Sequence, residues 1–339
     1  MGFLNSQLVE TSKLPYPSSS YAGQTIVVTG SNTGLGKEAA RHYARLGAAR
    51  LILAVRNLEK GHAAKEEILA TTATTTAAAA AAVKGSMAID VWELDMAQYA
   101  SVQAFGARVD DELERLDIFH ANAGLVCPKY STAEDNETMV TVNYISTFLL
   151  AALVMPRMKA TAARFQGIRP TLIITSSGAH EHTKFPQMSA ADNNILAAVN
   201  DPNYAGGAHW KEQYPVSKLL GVFAVRSIAK EHPADAYQVT VNLANPGLCH
   251  SDLARGAEGF QRVAFSLMKA AVARTAEQGS RTLVDAGVQG AKSHGQYLDN
   301  CRIALPSAVV LQNGEVQDRL WVELKATLEA IQPGVTSNF

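Results

Sequence analysis

The chain has 339 residues, 47% of them hydrophobic and 18% charged, with 30 Lys+Arg against 31 Asp+Glu. That composition can build a large core and excludes a disordered, collagen-like or disulfide-scaffold protein. A net charge of −1 leaves no electrostatic footprint for nucleic acid or an anionic membrane surface. Cys127, Cys249 and Cys301 stand far apart, with no C-x-x-C and no Cys/His ligand spacing. They read as free thiols of a reducing compartment, without a metal site. No apolar run at the N-terminus has signal-peptide length, and none elsewhere approaches the roughly 18–20 residues that span a bilayer. The expected location is cytoplasmic.

Residues 1–22 read as an N-terminal arm, with Pro15, Pro17 and a run of serines at 18–20. Residues 25–29 are a β-branched run suited to a buried parallel strand. A glycine-rich turn and a helix over about 37–46 follow, then a strand over 50–55 and a helix over 58–70. Residues 71–82, written TTATTTAAAAAA, are a low-complexity insertion. The alternation continues with strands at 88–94, 117–120, 171–175 and 239–244. Helices are expected at 101–114, 134–158 (ending near Pro156) and 216–230. Repeated βα units with apolar strands predict an α/β fold with a Rossmann-type, doubly wound parallel sheet. Length alone suggests two domains, but no linker cuts the chain. The expected organisation is a single domain over 23–339, with a C-terminal helical elaboration at about 259–273, 275–287 and 314–331.

The turn after the first strand reads Thr29-Gly30-Ser31-Asn32-Thr33-Gly34-Leu35-Gly36. Glycines let such a turn be tight and let its backbone approach a pyrophosphate, and the following helix start offers unpaired N–H groups. A purely structural strand–helix turn is the alternative. The spacing T-G-x-x-x-G-x-G resembles the short-chain dehydrogenase/reductase family. Asn122-Ala123-Gly124 after the fourth strand, Asn143 in the next helix, Ser176-Ser177 after the fifth strand, Tyr214-Pro-Val-Ser-Lys218 and Pro246-Gly247 follow in the family's order. The phrases TGSNTGLGKEAARH, LAVRNLEKG, NPGLCHSDLAR and RTAEQGSRTLVDA are closest to the retinol-dehydrogenase-like branch and its fungal secondary-metabolite reductases.

An acid after the second strand would select NAD by binding the ribose 2′-OH. Here Val55-Arg56-Asn57 holds none. Arg56 can fork onto a 2′-phosphate, and Lys37 adds charge nearby, so the expected cofactor is NADP(H). A solvated Arg56 is the bland alternative. The turn residues Gly30, Asn32, Thr33, Gly34, Leu35 and Gly36 are the expected phosphate side. The resemblance further implies that Asp95 contacts the adenine and that Asn122, Ala123 and Gly124 line the adenine ribose side. Pro246, Gly247 and Ser251 would border the nicotinamide. Asp95 could instead cap the following helix.

Tyr214 and Lys218 lie four apart, on one helix face. A phenol with a pKa of about 10 needs help to exchange protons near neutrality, and a neighbouring ammonium lowers it. Lys218 can also hold the nicotinamide ribose. Ser177 stands at the carboxyl edge of the sheet, where it could orient a carbonyl, with Ser176 as its rival. The resemblance implies that Asn143 holds a water linking Lys218 to solvent. Alone, Y-x-x-x-K could be a surface pair.

The gap between Ser177 and Tyr214 is much longer than in compact members of the family. Residues 180–209 either shape a large pocket or form a surface excursion packed by their own aromatics. Residues 248–273 sit where the family carries a substrate lid, and Phe260, Val263, Phe265 and Leu267 could cover an apolar substrate or pack on the core. The leading functional expectation is NADPH-dependent reduction of a ketone or aldehyde on a bulky apolar small molecule, a secondary-metabolite or polyketide intermediate. A retinol- or steroid-type alcohol dehydrogenase is the alternative. A third reading is an NADP(H)-binding protein that catalyses a non-redox step or regulates. Family members often pair through the long helices, so the resemblance allows a homodimer.

Overall fold

Strand β1, Thr25–Thr29, consists of β-branched residues only and is buried along its whole length. Such residues suit a pleated surface covered on both faces. The computed structural model describes residues 5–73, 87–191, 194–205, 207, 209–250 and 272–339. β1 pairs in parallel with β2 (Arg50–Val55) on one side and β4 (Ile118–Ala121) on the other. β3 (Ala88–Glu93) lies outside β2. β5 (Thr171–Thr175), β6 (Thr240–Asn245) and β7 (Tyr297–Asp299) extend the sheet beyond β4, and β8 (Arg302–Ala304) adds an antiparallel edge. The strand order is β3-β2-β1-β4-β5-β6-β7-β8. The chain reverses its direction of travel between β1 and β4, and such a switch point opens a crevice at the carboxyl ends of the strands.

Alternation along β1 divides the core. Ile26 and Val28 pack with Ala39, Ala40 and Tyr43 of α1 (Gly34–Arg45) and with Leu283 and Val284 of α6 (Ala276–Ala286). Val27 faces the other layer. There it meets the core of α3 (Tyr99–Glu112), α4 (Ser146–Arg164) and α5 (Trp210–Glu231). This period of two, with helices on both faces, is the doubly wound Rossmann-type arrangement expected from the sequence. Helix α2 spans Leu58–Ala73, and α7 spans Gly314–Ile331.

Several expectations are corrected. The helix expected over 134–158 does not begin at Glu134, which has a φ of 50° and precedes a two-residue hairpin strand, Asn136–Glu137. A helical turn opens at Thr138, passes through a π turn at Thr141–Ile145, and continues as α4 through Pro156 to Arg164. A proline inside a helix costs about 3 kcal/mol, and burial of both flanks, from Phe148 to Met158, offsets it. Helix α5 likewise begins at Trp210 and runs through Pro215. Tyr214 therefore lies inside the helix, one turn after Trp210. The helix from Thr138 to Arg164 is long and apolar enough to cross a membrane, against the sequence expectation, but most of it is buried inside this fold.

The stretch between Ser177 and Tyr214 is built from short helical turns, Gly178–His182, Pro186–Ser189, Ile195–Asn200 and Pro202–Ala205. Phe185, Ile195, Leu196 and Val199 are buried in the main core. The Glu323 carboxylate of α7 accepts the N–H groups of Ile195 and Leu196 at 3.0 and 2.7 Å. Residues 71–73 extend α2. The rest of the low-complexity insertion, the helix expected at 259–273 up to residue 271, Ser251, Phe260, Val263, Phe265 and Leu267 lie outside the described residues.

Candidate active site

The carboxyl ends of β1 and β4 are tied together by Thr29 and Asn122. Thr29 Oγ1 accepts the backbone N–H groups of Asn122 and Ala123 at 3.0 and 2.8 Å. Asn122 Nδ2 donates to the Thr29 carbonyl at 2.9 Å and reaches the Gly30 carbonyl at 3.4 Å. Asn122 is thus a strut between the glycine turn and the N-A-G loop. Gly30 has a φ of +65°, and a β-carbon there would meet the Ala123 backbone at 3.0 Å. One at Gly36 would lie 2.5 Å from both Asn122 Nδ2 and the Gly30 carbonyl. Gly36→Ala is therefore expected to lower stability by about 1–3 kcal/mol, read as an earlier thermal midpoint. An unchanged midpoint would mean that the turn relaxes freely.

Gly34 has a φ of +56°, and Thr33 stands at the N-cap of α1. Asn32, Thr33, Gly34 and Leu35 are partly exposed at the carboxyl edge of the sheet. The turn and the start of a twelve-residue helix thus lie together at this edge, the geometry that receives phosphate. The residues fit a dinucleotide pyrophosphate.

The two cations near β2 behave differently. Arg56 is exposed and makes no ion pair among the described residues. Lys37, expected to share its task, instead places Nζ 2.7 Å from Glu67 Oε2 of α2. Asp95 Oδ1 accepts the Ala97 N–H at 3.0 Å, and its Oδ2 accepts from Gln98 Nε2 at 3.2 Å. The carboxylate thus holds the turn ahead of α3 and does not cap the helix itself, whose N-cap is Gln98.

Tyr214, Lys218, Ser177, Asn143 and Gly124 converge beyond the ends of β4 and β5. The Ser177 hydroxyl accepts the Ala179 N–H at 3.1 Å and lies near enough to Tyr214 to lower the phenol's pKa. Ser176 is buried, and its hydroxyl has no hydrogen-bond partner among the described residues. Lys218 is buried, with Nζ donating to the Thr175 carbonyl at 3.0 Å and 6.0 Å from the centre of the Tyr214 ring. A β-carbon on Gly124 would lie 3.1 Å from Asn143 Oδ1 and 3.5 Å from Lys218 Nζ.

Asn143 sits in the π turn, a distortion that often marks functional positions. Its side chain is engaged on both ends. Oδ1 accepts the Leu125 N–H at 2.9 Å, while Nδ2 donates to the Leu125 carbonyl and to Ser217 Oγ, each at 3.0 Å. The amide therefore clamps the loop after Gly124 to α5.

Burial decides the electrostatics. It pushes the Tyr214 phenol above its ordinary value, and the hydrogen bond with Ser177 opposes that only in part. Burial outweighs the lowering expected from Lys218, whose Nζ donates to the Thr175 carbonyl. Burial brings Lys218 itself down to about 8. Tyr214 is thus held protonated.

His180, which the sequence offers as either an acid/base group or a structural one, and Glu137, which sequence reasoning missed, support this set. His180 Nε2 accepts the Ser307 N–H at 3.0 Å, so its Nδ1 carries the proton and donates to the Ser177 carbonyl at 2.7 Å. Glu137 caps the helix leading to Asn143 and accepts from Gln213 Nε2 at 3.1 Å, next to Tyr214. These are contacts between distant segments that no local pattern marks.

Pro246 and Gly247 follow β6 at the same edge. Gly247 has a φ of +77°, and Asn245 Oδ1 accepts its N–H at 3.0 Å and that of Gly178 at 3.1 Å.

Comparison with known proteins agrees with this geometry. A family model described as short chain dehydrogenase matches residues 24–190. A short chain dehydrogenase/reductase of Cryptosporiopsis sp. is 57% identical, and the alignment covers 100% of both chains. A short-chain dehydrogenase of Penicillium roqueforti is 38% identical over 99% of this chain and 84% of its own. Among solved structures, a short chain dehydrogenase from Escherichia coli complexed with NADPH shares the fold, with a TM-score of 0.56 and 22% identity. That match covers 84% of this chain and 99% of the other. The chain belongs to the short-chain dehydrogenase/reductase family, whose members are oxidoreductases that use a nicotinamide cofactor.

Proposed function

We propose that the protein reduces a ketone or aldehyde on a bulky apolar small molecule, with NADPH as reductant. The observation that carries this is the convergence of Tyr214, Ser177 and Lys218 at the sheet's carboxyl edge, with Lys218 Nζ 6.0 Å from the Tyr214 ring. Gly30 to Gly36 and the α1 N-terminus would hold the pyrophosphate. Arg56 would take the 2′-phosphate, Lys218 the nicotinamide ribose, and Pro246-Gly247 the nicotinamide side. Bound there, the cofactor supplies the hydride. The chain's own residues then orient the carbonyl through Ser177 and pass it a proton from Tyr214.

NADP(H) over NAD(H) is supported by the exposed Arg56 and by the absence of an acid after β2. The Escherichia coli relative in fold was crystallised with NADPH. An apolar substrate is supported by the surroundings. Trp210 lies one turn before Tyr214, 6.3 Å from the Tyr130 ring, with Nε1 donating to the Pro128 carbonyl at 3.0 Å. Leu125, Val126 and Cys127, in the loop between Gly124 and Tyr130, are half-buried. The fungal relatives support a secondary-metabolite or polyketide carbonyl.

The test is NADPH consumption against bulky ketones, aldehydes and aromatic polyketides. Turnover is the expected result; NADPH binding without turnover across the panel would favour a non-redox role. Arg56→Ala is expected to raise the KM for NADPH roughly ten- to a hundredfold, the loss of a charge-assisted contact, with little change for NADH. An unchanged preference between the two cofactors would sink the assignment of Arg56.

A further inference from the structure

The arm ahead of β1 is not a loose leader. Gln7, Glu10, Leu14 and Tyr21 are buried, and Tyr16 lies under the guanidinium groups of Arg45 and Arg281, at 4.3 and 5.2 Å. Its most specific contacts reach the turn after β6. Gln7 Oε1 accepts the Leu248 N–H at 3.1 Å, and Gln7 Nε2 donates to the carbonyls of Leu248 and Val272 at 2.8 and 3.2 Å. One side chain thus satisfies both backbone groups of Leu248, as a neighbouring strand would.

Arg274 completes the connection. It is buried, and its Nη1 donates to the Pro246 carbonyl at 3.0 Å. Nε donates to Thr11 Oγ1 at 2.9 Å, and Nη2 donates to the Ser6 carbonyl at 2.9 Å and to Asn300 Oδ1. A guanidinium removed from water must be satisfied this fully, and much of what satisfies it comes from the arm. A β-carbon on Gly247 would lie 2.6 Å from Gln7 Oε1 and 2.8 Å from Arg274 Nη1. Arm, arginine and turn therefore fit only while residue 247 has no side chain. Asn245, which accepts from both Gly247 and Gly178, links the turn to the segment beside Ser177.

We propose that Gln7 and Arg274 are positioning residues for the nicotinamide end of the site, through which the N-terminal arm holds the backbone of Pro246-Gly247-Leu248. This rests on the reading of Pro246-Gly247 as the turn that borders the nicotinamide. The contacts fall on the backbone of that turn, and none of them touches the phosphate turn or Arg56.

The full-length Gln7→Met variant, which keeps the side-chain volume and loses all three hydrogen bonds, tests this. NADPH and 2′,5′-ADP, which lacks the nicotinamide half, are titrated against wild type and variant. The expected result is an NADPH affinity weaker by about tenfold, an unchanged affinity for 2′,5′-ADP and a raised KM for NADPH. Equal weakening of both probes, or an unchanged NADPH affinity, overturns the proposal. If Gln7→Met does not fold, Thr11→Val removes one contact to Arg274 and must show the same selective loss in smaller measure. Wild-type protein that binds neither probe would instead overturn the underlying cofactor assignment, and this inference with it.

Discussion

Tyr214→Phe is expected to lower kcat by about 10²–10⁴-fold, the usual contribution of a positioned general acid, while the fold and the NADPH affinity are retained. Phenylalanine preserves the ring's packing inside α5 and removes only the hydroxyl. The lost group is the one that burial holds protonated and that lies beside Ser177. Ser177→Ala should act on the same oxygen with a smaller effect, because it removes a hydrogen bond and leaves the acid. Single-turnover NADPH oxidation under saturating carbonyl separates the chemical step from binding. A Tyr214→Phe protein within about tenfold of wild type would place the proton donor elsewhere.

Lys218→Met is expected to lower kcat/KM by about 10²-fold or more while leaving the folded state at least as stable at pH 7. Burial brings the Lys218 ammonium from its ordinary 10.5 to about 8. Between those values the unfolded chain binds a proton that the folded chain lacks. Stability therefore rises with pH from about 8 to 10.5, and below about 8 the folded state bears the full cost of the buried charge. That cost is roughly 3 kcal/mol at 1.36 kcal/mol per pKa unit. Losing the hydrogen bond to the Thr175 carbonyl returns about 1 kcal/mol of it. A neutral side chain of similar length is thus expected to raise the thermal midpoint at pH 7. In the wild type, kcat/KM should stay level below pH 7 and fall as pH rises through about 8. Lys218→Arg should move that descent upward, because a guanidinium keeps its charge. A clear drop in the Lys218→Met midpoint at pH 7 would show that the ammonium holds the fold together.

Much of the site could be read from neighbouring residues. The β-branched run of β1 must be a buried strand wherever it sits, because its period and sterics are local. The glycine turn follows from the same logic, since φ values of +65° at Gly30 and +56° at Gly34 suit glycine. Tyr214 and Lys218 share a face because four residues make about one helical turn. The sequence by itself therefore determined the α/β architecture, the order of the motifs along it, and which side chains could reach the sheet's carboxyl edge.

Only the tertiary structure decided what those groups meet. Lys37 turns to Glu67, thirty residues away, and Lys218 turns to Thr175, forty-three away. Desolvation, absent from any local pattern, reverses the expected shift of the Tyr214 phenol. Pro156, read as the end of its helix, and Pro215, ahead of the expected helix start at 216, both lie inside helices because burial on the surrounding core outweighs a missing N–H. Gln7 and Leu248, 241 positions apart, meet because a buried turn must have its backbone satisfied by whatever segment the fold delivers to it. Periodicity and backbone sterics act over a few residues, whereas burial and hydrogen-bond partners are settled only once the whole chain has packed.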